Sequence, residues 1–241
     1  MRVRKRFGGA AVLDDVSVAV GRGRCLALVG ASGAGKTTLL RCFNALAVPD
    51  GGRVLVGGAD VGTLDPGALR RRTGYVPQDG GLIPHWTVRR NAALAPTLLG
   101  LPDAGARAEA ALAGVGLDPA RYGGRYPSAL SGGERQRVAV ARALAGGADV
   151  VLLDEPFGAL DAITRADVQD AFARLRAERA AAGRPVTAVL VTHDLREAAR
   201  LADTVAVMRD GRVEQAAPVD ALVGAPATPY VARLLERAGL V

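Results

Sequence analysis

A short glycine-rich stretch between two apolar segments constrains this chain more than any other feature. It follows the apolar run Leu26–Val29 and precedes Leu39 and Leu40. The stretch reads, in order, Gly30, Ala31, Ser32, Gly33, Ala34, Gly35, Lys36, Thr37 and Thr38. It fits the pattern G-x-x-x-x-G-K-[ST] of a phosphate-binding loop between a strand and a helix. Glycines let successive backbone N–H groups point at one phosphate, beside the positive end of the following helix.

The lysine and the first threonine of this loop have defined roles in nucleotide binding. Lys36 is expected to reach the β- and γ-phosphates, and the Thr37 hydroxyl is expected to hold Mg²⁺. A glycine-rich chain also gives loose matches by chance, and the alternative is a turn before a core helix. Lysine usage argues against that alternative, because Lys5 and Lys36 are the only lysines in the sequence. The sequence therefore predicts ATP or GTP binding by residues 30–38.

The remaining composition is that of a globular protein, with 49% apolar and 23% charged residues. No uninterrupted apolar stretch approaches the roughly 18–20 residues that a bilayer span needs. The basic N-terminus leads into no signal-peptide core, so we expect a cytoplasmic protein. Cys25 and Cys42 flank the loop and are predicted to be buried thiols rather than a disulfide or a metal site.

The net charge of +7 could indicate a nucleic-acid or lipid partner. The arginines are scattered, however, and Arg70–Arg72 is the only tight run beyond the N-terminus. Aromatic residues make up only 4% of the chain, whereas single-strand binding needs aromatic platforms beside the cations. We therefore expect no direct nucleic-acid binding, and attribute the arginines to a composition rich in Arg, Ala and Gly.

Periodicity predicts an α/β core with a helical insertion. Expected strands are residues 1–6, 16–20, 25–29, 53–56, 74–77, 149–154 and 186–191. Expected helices are 36–47, 65–72, 164–181, 219–223 and 228–238, with a hairpin around Asp210-Gly211. From about residue 87 to 145 the pattern is helical with no strand. Two apolar β-runs separated by the 164–181 helix favour a parallel sheet.

Further chemistry-bearing residues follow strands or begin a helix. Asp154 and Glu155 end an apolar strand, where Asp154 can hold Mg²⁺ and Glu155 can polarise an attacking water; the alternative is a solvated strand end. Gln78 and His193 also follow strands, where ligands bind in open α/β sheets, although each by itself could be structural. His85 has no evident partner.

Ser131 and Glu134 match a capping box at the start of a helix. The segment Ser131, Gly132, Gly133, Glu134 is therefore either a second anion site at a helix N-terminus or a plain helix cap.

These elements, in this order, resemble the ATP-binding subunit of an ABC transporter over essentially the whole chain. They correspond to Walker A (residues 30–38), the Q-loop (Gln78), the signature (Leu130–Glu134), Walker B (Val150–Asp154) with Glu155, the D-loop (Leu160-Asp161) and the H-loop (His193). The resemblance implies an α/β P-loop NTPase core, residues 1–86 and 146–241. It also implies an N-terminal antiparallel β-subdomain and an inserted helical subdomain at about 87–145.

The resemblance also implies roles for single residues. Phe7 would stack on adenine, Gln78 would sense Mg²⁺ and the γ-phosphate, Glu155 would be the general base, and His193 would contact the γ-phosphate. Two copies would form a dimer in which residues of one subunit close on ATP bound by the other. The residues expected to do so are Ser131, Gly132, Gly133 and Glu134. Asp161 is also expected to lie at the nucleotide. Glu134 stands where Gln is commoner in the family, and we expect it to tune the rate.

Residues 64–78, 81–85 and 155–165, with Asn91 and Pro96, resemble the osmoprotectant branch of ABC importers, which take up glycine betaine, proline or choline. This implies two transmembrane permease subunits, an extracytoplasmic solute-binding protein, and a peripheral position on the cytoplasmic face of the membrane. That branch often has a C-terminal regulatory extension, which we expect to be absent because the chain stops at Val241. A fuller first strand usually precedes the aromatic residue, so we expect a short β-subdomain edge or an upstream start.

Four alternatives share part of the pattern. Nitrate/taurine-type and amino-acid importers have similar stretches. A soluble ABC ATPase acting on ribosomes or DNA typically carries two cassettes or a long coiled coil, and neither is present. A P-loop GTPase would carry an Asn-Lys-x-Asp motif, which does not occur in the sequence.

Overall fold

A computed structural model describes residues 2–158 and 160–241. The strands are β1 (Val3–Phe7), β2 (Ala10–Val16), β3 (Cys25–Val29), β4 (Leu55–Val56), β5 (Ala59–Asp60), β6 (Thr73–Val76), β7 (Val150–Asp154), β8 (Thr187–Thr192), β9 (Thr204–Arg209) and β10 (Arg212–Ala217). The part of the strand predicted at residues 1–6 that falls on Met1 lies outside the described residues.

The helices cover the segments between and after these strands. They are α1 (Lys36–Cys42), α2 (Pro66–Arg72), α3 (Val88–Ala92), α4 (Leu94–Leu98), α5 (Ala104–Gly114), α6 (Pro119–Tyr122), α7 (Gly132–Ala145), α8 (Ala162–Ala181), α9 (Leu195–Leu201), α10 (Val219–Gly224) and α11 (Pro229–Arg237). Within the described ranges, no helix has the length and apolar character needed to cross a bilayer.

The chain divides into two compact units. The first comprises the described residues up to Arg70 together with Ala188–Val241, and the second comprises Arg71–Thr187. The domain boundaries expected from the sequence, residues 1–86 and 146–241 against 87–145, stay a prediction.

The first unit is built on β3, which lies between β8 and β9 and runs parallel to both. Every residue of β3 is buried, as expected for a parallel strand that is covered on both faces. Val29 at its carboxyl end is aligned with Thr192 of β8 and Val207 of β9. Strand β10 pairs antiparallel with β9 across the Asp210-Gly211 turn, which confirms the predicted hairpin.

Antiparallel hairpins lie on either side of β3 in the chain, and the N-terminal one was predicted. Strands β1 and β2 form one, β4 and β5 form another, and Arg4 bridges to Gly51. The predicted strand at 16–20 is wrong, because the pairing with β1 involves Ala10–Val16 instead. The alternating Val18 and Val20 are half-buried without a strand partner, and they line an apolar cavity of about 200 Å³.

Helix α1 is shorter than the predicted 36–47. It ends at Cys42, and the following Ala45 has a φ of 56°, outside the right-handed helical region. The Asn44 Oδ1 atom accepts a hydrogen bond from the Leu46 N–H at 3.2 Å, a local alternative to further helical bonding. Local hydrogen bonding by Asn44, which competes with the helical pattern, accompanies this boundary.

The second unit combines two parallel strands with a group of helices. Strand β6 pairs with β7 from Thr73↔Val150 to Val76↔Leu153. Helices α3, α5 and α7 pack on one another, and α7 also packs on β6. No strand occurs between Val88 and Ala145, all of which are described residues, so the predicted helical segment is confirmed.

Close packing of α7 on β6 depends on Gly74. A Cβ atom there would lie 2.5 Å from the carbonyl oxygen of Ala143. We expect Gly74→Ala to lower the free energy of unfolding by about 1–3 kcal/mol through overpacking, measured from urea denaturation. The control is Gly105→Ala in α5, where a Cβ meets nothing within 4 Å; this change should be neutral or stabilising by up to about 1 kcal/mol. Equal stabilities of the two variants would contradict the packing argument.

Candidate functional site

The two defining glycines of the predicted phosphate loop are required by their neighbours. A Cβ at Gly30 would overlap the carbonyl oxygen of Met208 in β9, and a Cβ at Gly35 would lie 2.6 Å from the carbonyl oxygen of Val12. Gly35 also has a φ of 93° and caps the N-terminus of α1. The sequence pattern therefore corresponds to a backbone path that only glycine can follow at these two positions.

Lys36 is buried at the base of this loop. Its Nζ atom donates hydrogen bonds to the carbonyl oxygens of Gly30 at 2.7 Å and Ala31 at 2.8 Å. The Ala31 carbonyl also accepts the Ala34 N–H at 3.2 Å. The ammonium thus holds the loop closed on itself, and a phosphate is a competing anionic partner for the same charge.

The loop presents its tip to solvent and keeps its ends inside the protein. Ala31, Ser32 and Gly33 are exposed, whereas Ala34, Gly35 and Lys36 are buried, and Thr37 and Thr38 are half-buried. No side chain caps the start of α1, and no acidic residue lies in its first turn. The arrangement leaves a region of exposed backbone beside a fixed cation, which suits an anionic ligand.

His193 lies at the same edge of the first unit as this loop. Val29, the residue before the loop, is aligned with Thr192, the residue before His193, on the neighbouring parallel strand. Gly30 and His193 therefore follow adjacent strand ends. His193 is exposed, and Asp194 after it caps α9 by accepting the Arg196 N–H at 2.8 Å. The sequence prediction that His193 lies at a carboxyl edge is confirmed.

Phe7 ends β1 and is 54% exposed, which is high for an aromatic ring. The Lys5 ammonium lies 5.1 Å from the ring centroid, within the range of a cation–π contact. An exposed ring of this kind is available for stacking, and its role at adenine stays a prediction.

In the second unit, Asp154 and Glu155 follow β7 as predicted. Asp154 is buried, while Glu155 is half-buried and has a φ of 48°, in the left-handed region that non-glycine residues seldom occupy. The Nε2 atom of Gln78 donates a hydrogen bond to Oε2 of Glu155 at 3.4 Å. Two residues separated widely in the sequence and predicted separately as functional are thus brought together.

The capping box predicted at Ser131 is confirmed. The Glu134 N–H donates to Ser131 Oγ at 3.1 Å, and the Ser131 N–H donates to Glu134 Oε2 at 2.7 Å. The hydrogen bond from Ser131 N–H is the main reason that the pKa of Glu134 lies below its usual value. A Cβ at Gly133 would lie 2.9 Å from Leu160 Cδ2, so a larger residue would have to displace the end of that side chain.

Asp161 caps helix α8, so its carboxylate already has local partners. Its Oδ1 atom accepts the Thr164 N–H at 3.0 Å and the Ile163 N–H at 3.1 Å. Hydrogen bonds from Thr164 are the largest cause of its lowered pKa. Asp161 therefore has an evident structural role, and its predicted place at a nucleotide stays a prediction.

Sequence reasoning missed Arg142, which joins α7 to the loop after Gln78. Its Nη1 atom donates to the Gly81 carbonyl at 2.6 Å and its Nη2 atom to the Gly80 carbonyl at 2.7 Å. The sequence did offer a signal for this contact, because Arg142 lies within the mainly apolar run Val138–Leu144. An arginine in such a run predicts a buried guanidinium that needs hydrogen-bond acceptors.

Comparisons with known proteins bear on these features. The family model described as ABC transporter matches residues 13–158. The glycine betaine/carnitine/choline transport ATP-binding protein OpuCA of Bacillus subtilis is 38% identical over 97% of this chain and 60% of its own length. The sulfate/thiosulfate import ATP-binding protein CysA of Nocardia farcinica is 44% identical over 96% of this chain and 68% of its own. The chain thus spans about 60% of the length of OpuCA.

Among solved structures, a dimeric post-hydrolysis state of the ATP-binding cassette MJ0796 bound to ADP and Pi is similar to this chain. The TM-score is 0.81 at 30% sequence identity, and the match covers 90% of this chain and 97% of that one. The fold class expected from the sequence is therefore confirmed: a P-loop α/β cassette with antiparallel and helical additions.

The capping box gives a pH-dependent contribution to stability. Because the pKa of Glu134 is lowered on folding, its contribution is full above the unfolded pKa of about 4.3 and is lost as the pH falls through the folded pKa. Glu134→Gln should therefore cost about 0.3–1 kcal/mol at pH 7, and the cost should shrink towards zero below pH 4. Urea midpoints of both proteins between pH 3 and 7 would measure it, and a difference independent of pH would refute the assignment.

Proposed function

Since the chain belongs to the ABC transporter family, we propose that it is the ATP-binding and ATP-hydrolysing subunit of a solute importer. The observation that carries this proposal is the phosphate loop, where Gly30 and Gly35 are sterically required and Lys36 is fixed beside exposed backbone. Because burial of a cation is costly, a plain turn before a core helix is the weaker explanation.

We assign nucleotide binding in the first unit to the loop and its neighbours. Lys36 keeps its bond to the Gly30 carbonyl and exchanges the Ala31 carbonyl for a phosphate oxygen, the exposed amides of residues 32 and 33 donate to phosphate, and Phe7 stacks on adenine. His193, which starts beside Gly30, contacts the γ-phosphate. Phe7, His193, Ser32 and Gly33 are exposed, and two backbone carbonyls are among the partners of Lys36 in this structure.

The donors that we propose for Mg²⁺ are those expected from the sequence: the Thr37 hydroxyl, the Gln78 amide oxygen and the Asp154 carboxylate. Hydroxyl, amide and carboxylate oxygens are hard ligands of the type that Mg²⁺ prefers, so the residues fit this ion. When bound, Mg²⁺ would neutralise charge that develops on the phosphate oxygens.

Hydrolysis needs a base that can orient water, and we assign this role to Glu155. Its left-handed backbone and the hydrogen bond from Gln78 fix the direction of the carboxylate. Glu155 accepts a proton from the water that attacks the γ-phosphate in line. We propose that Ser131–Glu134 act on ATP bound by a second copy, so that the working unit is a dimer, in keeping with the dimeric cassette of similar fold.

We propose that the dimer works with two membrane permease subunits and an extracytoplasmic solute-binding protein, at the cytoplasmic face of the membrane. Similarity to OpuCA, whose name gives glycine betaine, carnitine and choline, favours quaternary amines as the solute class. Similarity to CysA at 44% identity makes sulfate or thiosulfate the second candidate.

Replacing the base should separate binding from hydrolysis. Glu155→Gln should lower steady-state ATP hydrolysis at least about 100-fold, keep ATP binding, and accumulate an ATP-bound dimer detectable by size-exclusion chromatography. The matched control Lys36→Ala should bind ATP poorly and form no such dimer. Turnover of Glu155→Gln near the parent rate would remove Glu155 as the base.

Uptake measurements test the import function. In a strain lacking this gene but retaining the other components, the wild-type gene should restore uptake of labelled glycine betaine or choline, and a Lys36→Ala copy should not. Restored uptake of sulfate alone would favour the second candidate. If neither copy changes the uptake of any of these solutes, the proposed solute classes are wrong.

A further inference from the structure

A tyrosine of the last helix contacts the phosphate loop. The hydroxyl of Tyr230, in α11, accepts a hydrogen bond from the Ala31 N–H at 3.2 Å. The two residues are 199 positions apart in the chain, and both lie in the first unit. No role in the nucleotide chemistry described above uses Tyr230.

The peptide group between Gly30 and Ala31 is hydrogen-bonded through both its carbonyl oxygen and its N–H. The carbonyl oxygen of Gly30 and the N–H of Ala31 belong to one planar peptide unit. The Lys36 ammonium donates to that oxygen at 2.7 Å, and the Tyr230 hydroxyl accepts from that N–H. Hydrogen bonds at opposite ends of one peptide polarise each other, so the tyrosine strengthens and orients the acceptor that holds Lys36.

Tyr230 is itself held in place by its surroundings. The Arg209 guanidinium lies 5.1 Å from the centroid of its ring. Its helix buries Val231 and Leu235 in an apolar cluster that also contains Val29, the residue before the loop. The hydroxyl therefore belongs to a fixed support rather than to a freely rotating surface side chain.

The far end of α11 is fixed as well. Arg196 Nε donates to the Ala238 carbonyl at 2.5 Å, and Leu195 shares the apolar cluster with Leu235. Leu195 and Arg196 follow His193 closely in the chain. Helix α11 is thus tied at one end to the loop that carries Lys36 and at the other to the segment after His193.

We propose that Tyr230 is a positioning residue of the phosphate loop, whose hydroxyl fixes the Gly30–Ala31 peptide and, through it, the ammonium of Lys36. This inference rests on the proposed ATP binding. Without the hydroxyl, the Ala31 N–H has only water as a partner, so the peptide plane is held less firmly and the loop is less preorganised for phosphate. One neutral hydrogen bond of this kind corresponds to about a two- to tenfold change in ATP affinity.

The test compares Tyr230→Phe with Tyr126→Phe in the full-length protein. Tyr230→Phe removes the hydroxyl and keeps the ring beside Arg209; Tyr126 is half exposed and lies in the other unit. Two quantities are measured: the exchange rate and resonance position of the Ala31 amide by NMR with ¹⁵N-alanine, and the ATP dissociation constant by calorimetry. Tyr230→Phe should speed Ala31 exchange, move its resonance and weaken ATP binding about two- to tenfold. Tyr126→Phe should leave both unchanged.

The Ala31 amide reports the hydrogen bond without any nucleotide, so it separates this inference from the proposed function. If wild type binds ATP and Tyr230→Phe binds equally well, or if the Ala31 amide is unaffected, the positioning role is refuted and ATP binding stands. If wild type binds no ATP, both the positioning role and the proposed function fail. An equal effect of Tyr126→Phe would also overturn the positioning role.

Discussion

The close passage of the backbone past the Met208 carbonyl oxygen is the constraint on which the first unit depends. Strand β3 is buried between two parallel neighbours, so its direction is fixed before the loop begins. At Gly30 the chain can leave the sheet only where no Cβ is present. The turn that follows places Lys36 beneath the loop, where its charge meets two carbonyl oxygens. Steric exclusion in the core thus determines where the cation lies.

The second unit depends on a different balance, between strain and hydrogen bonding. Glu155 has a left-handed backbone, which costs on the order of 1–2 kcal/mol for a residue with a Cβ. That conformation ends β7 sharply and directs the carboxylate towards the Gln78 amide. At Ser131 and Glu134, by contrast, the local structure has no such strain, because each residue satisfies the backbone of the other. One segment is strained, while the other is stabilised by a reciprocal pair of hydrogen bonds.

Local chemistry was readable from the sequence, and contacts between distant segments were not. The phosphate loop, the capping box at Ser131 and the Asp210-Gly211 hairpin each follow from residues within a few positions of one another. The alternation of Val16–Val20 was a true signal of one buried face, but burial against a cavity rather than pairing with a strand produced it. Tyr230 gave no signal, because its partner Ala31 is 199 positions away and offers only a backbone amide.

The guanidinium of Arg142 links helix α7 to the loop that follows Gln78 by hydrogen bonds. Its two short hydrogen bonds reach consecutive carbonyls, so they resist twisting as well as separation. Charged hydrogen bonds of this kind are worth about 1.5–3 kcal/mol each, and breaking both would cost more than thermal motion supplies. A displacement of α7 is therefore expected to move Gly80 and Gly81 with the helix. Ser131, at the start of α7, is thus linked to Gly80 through the helix and these hydrogen bonds.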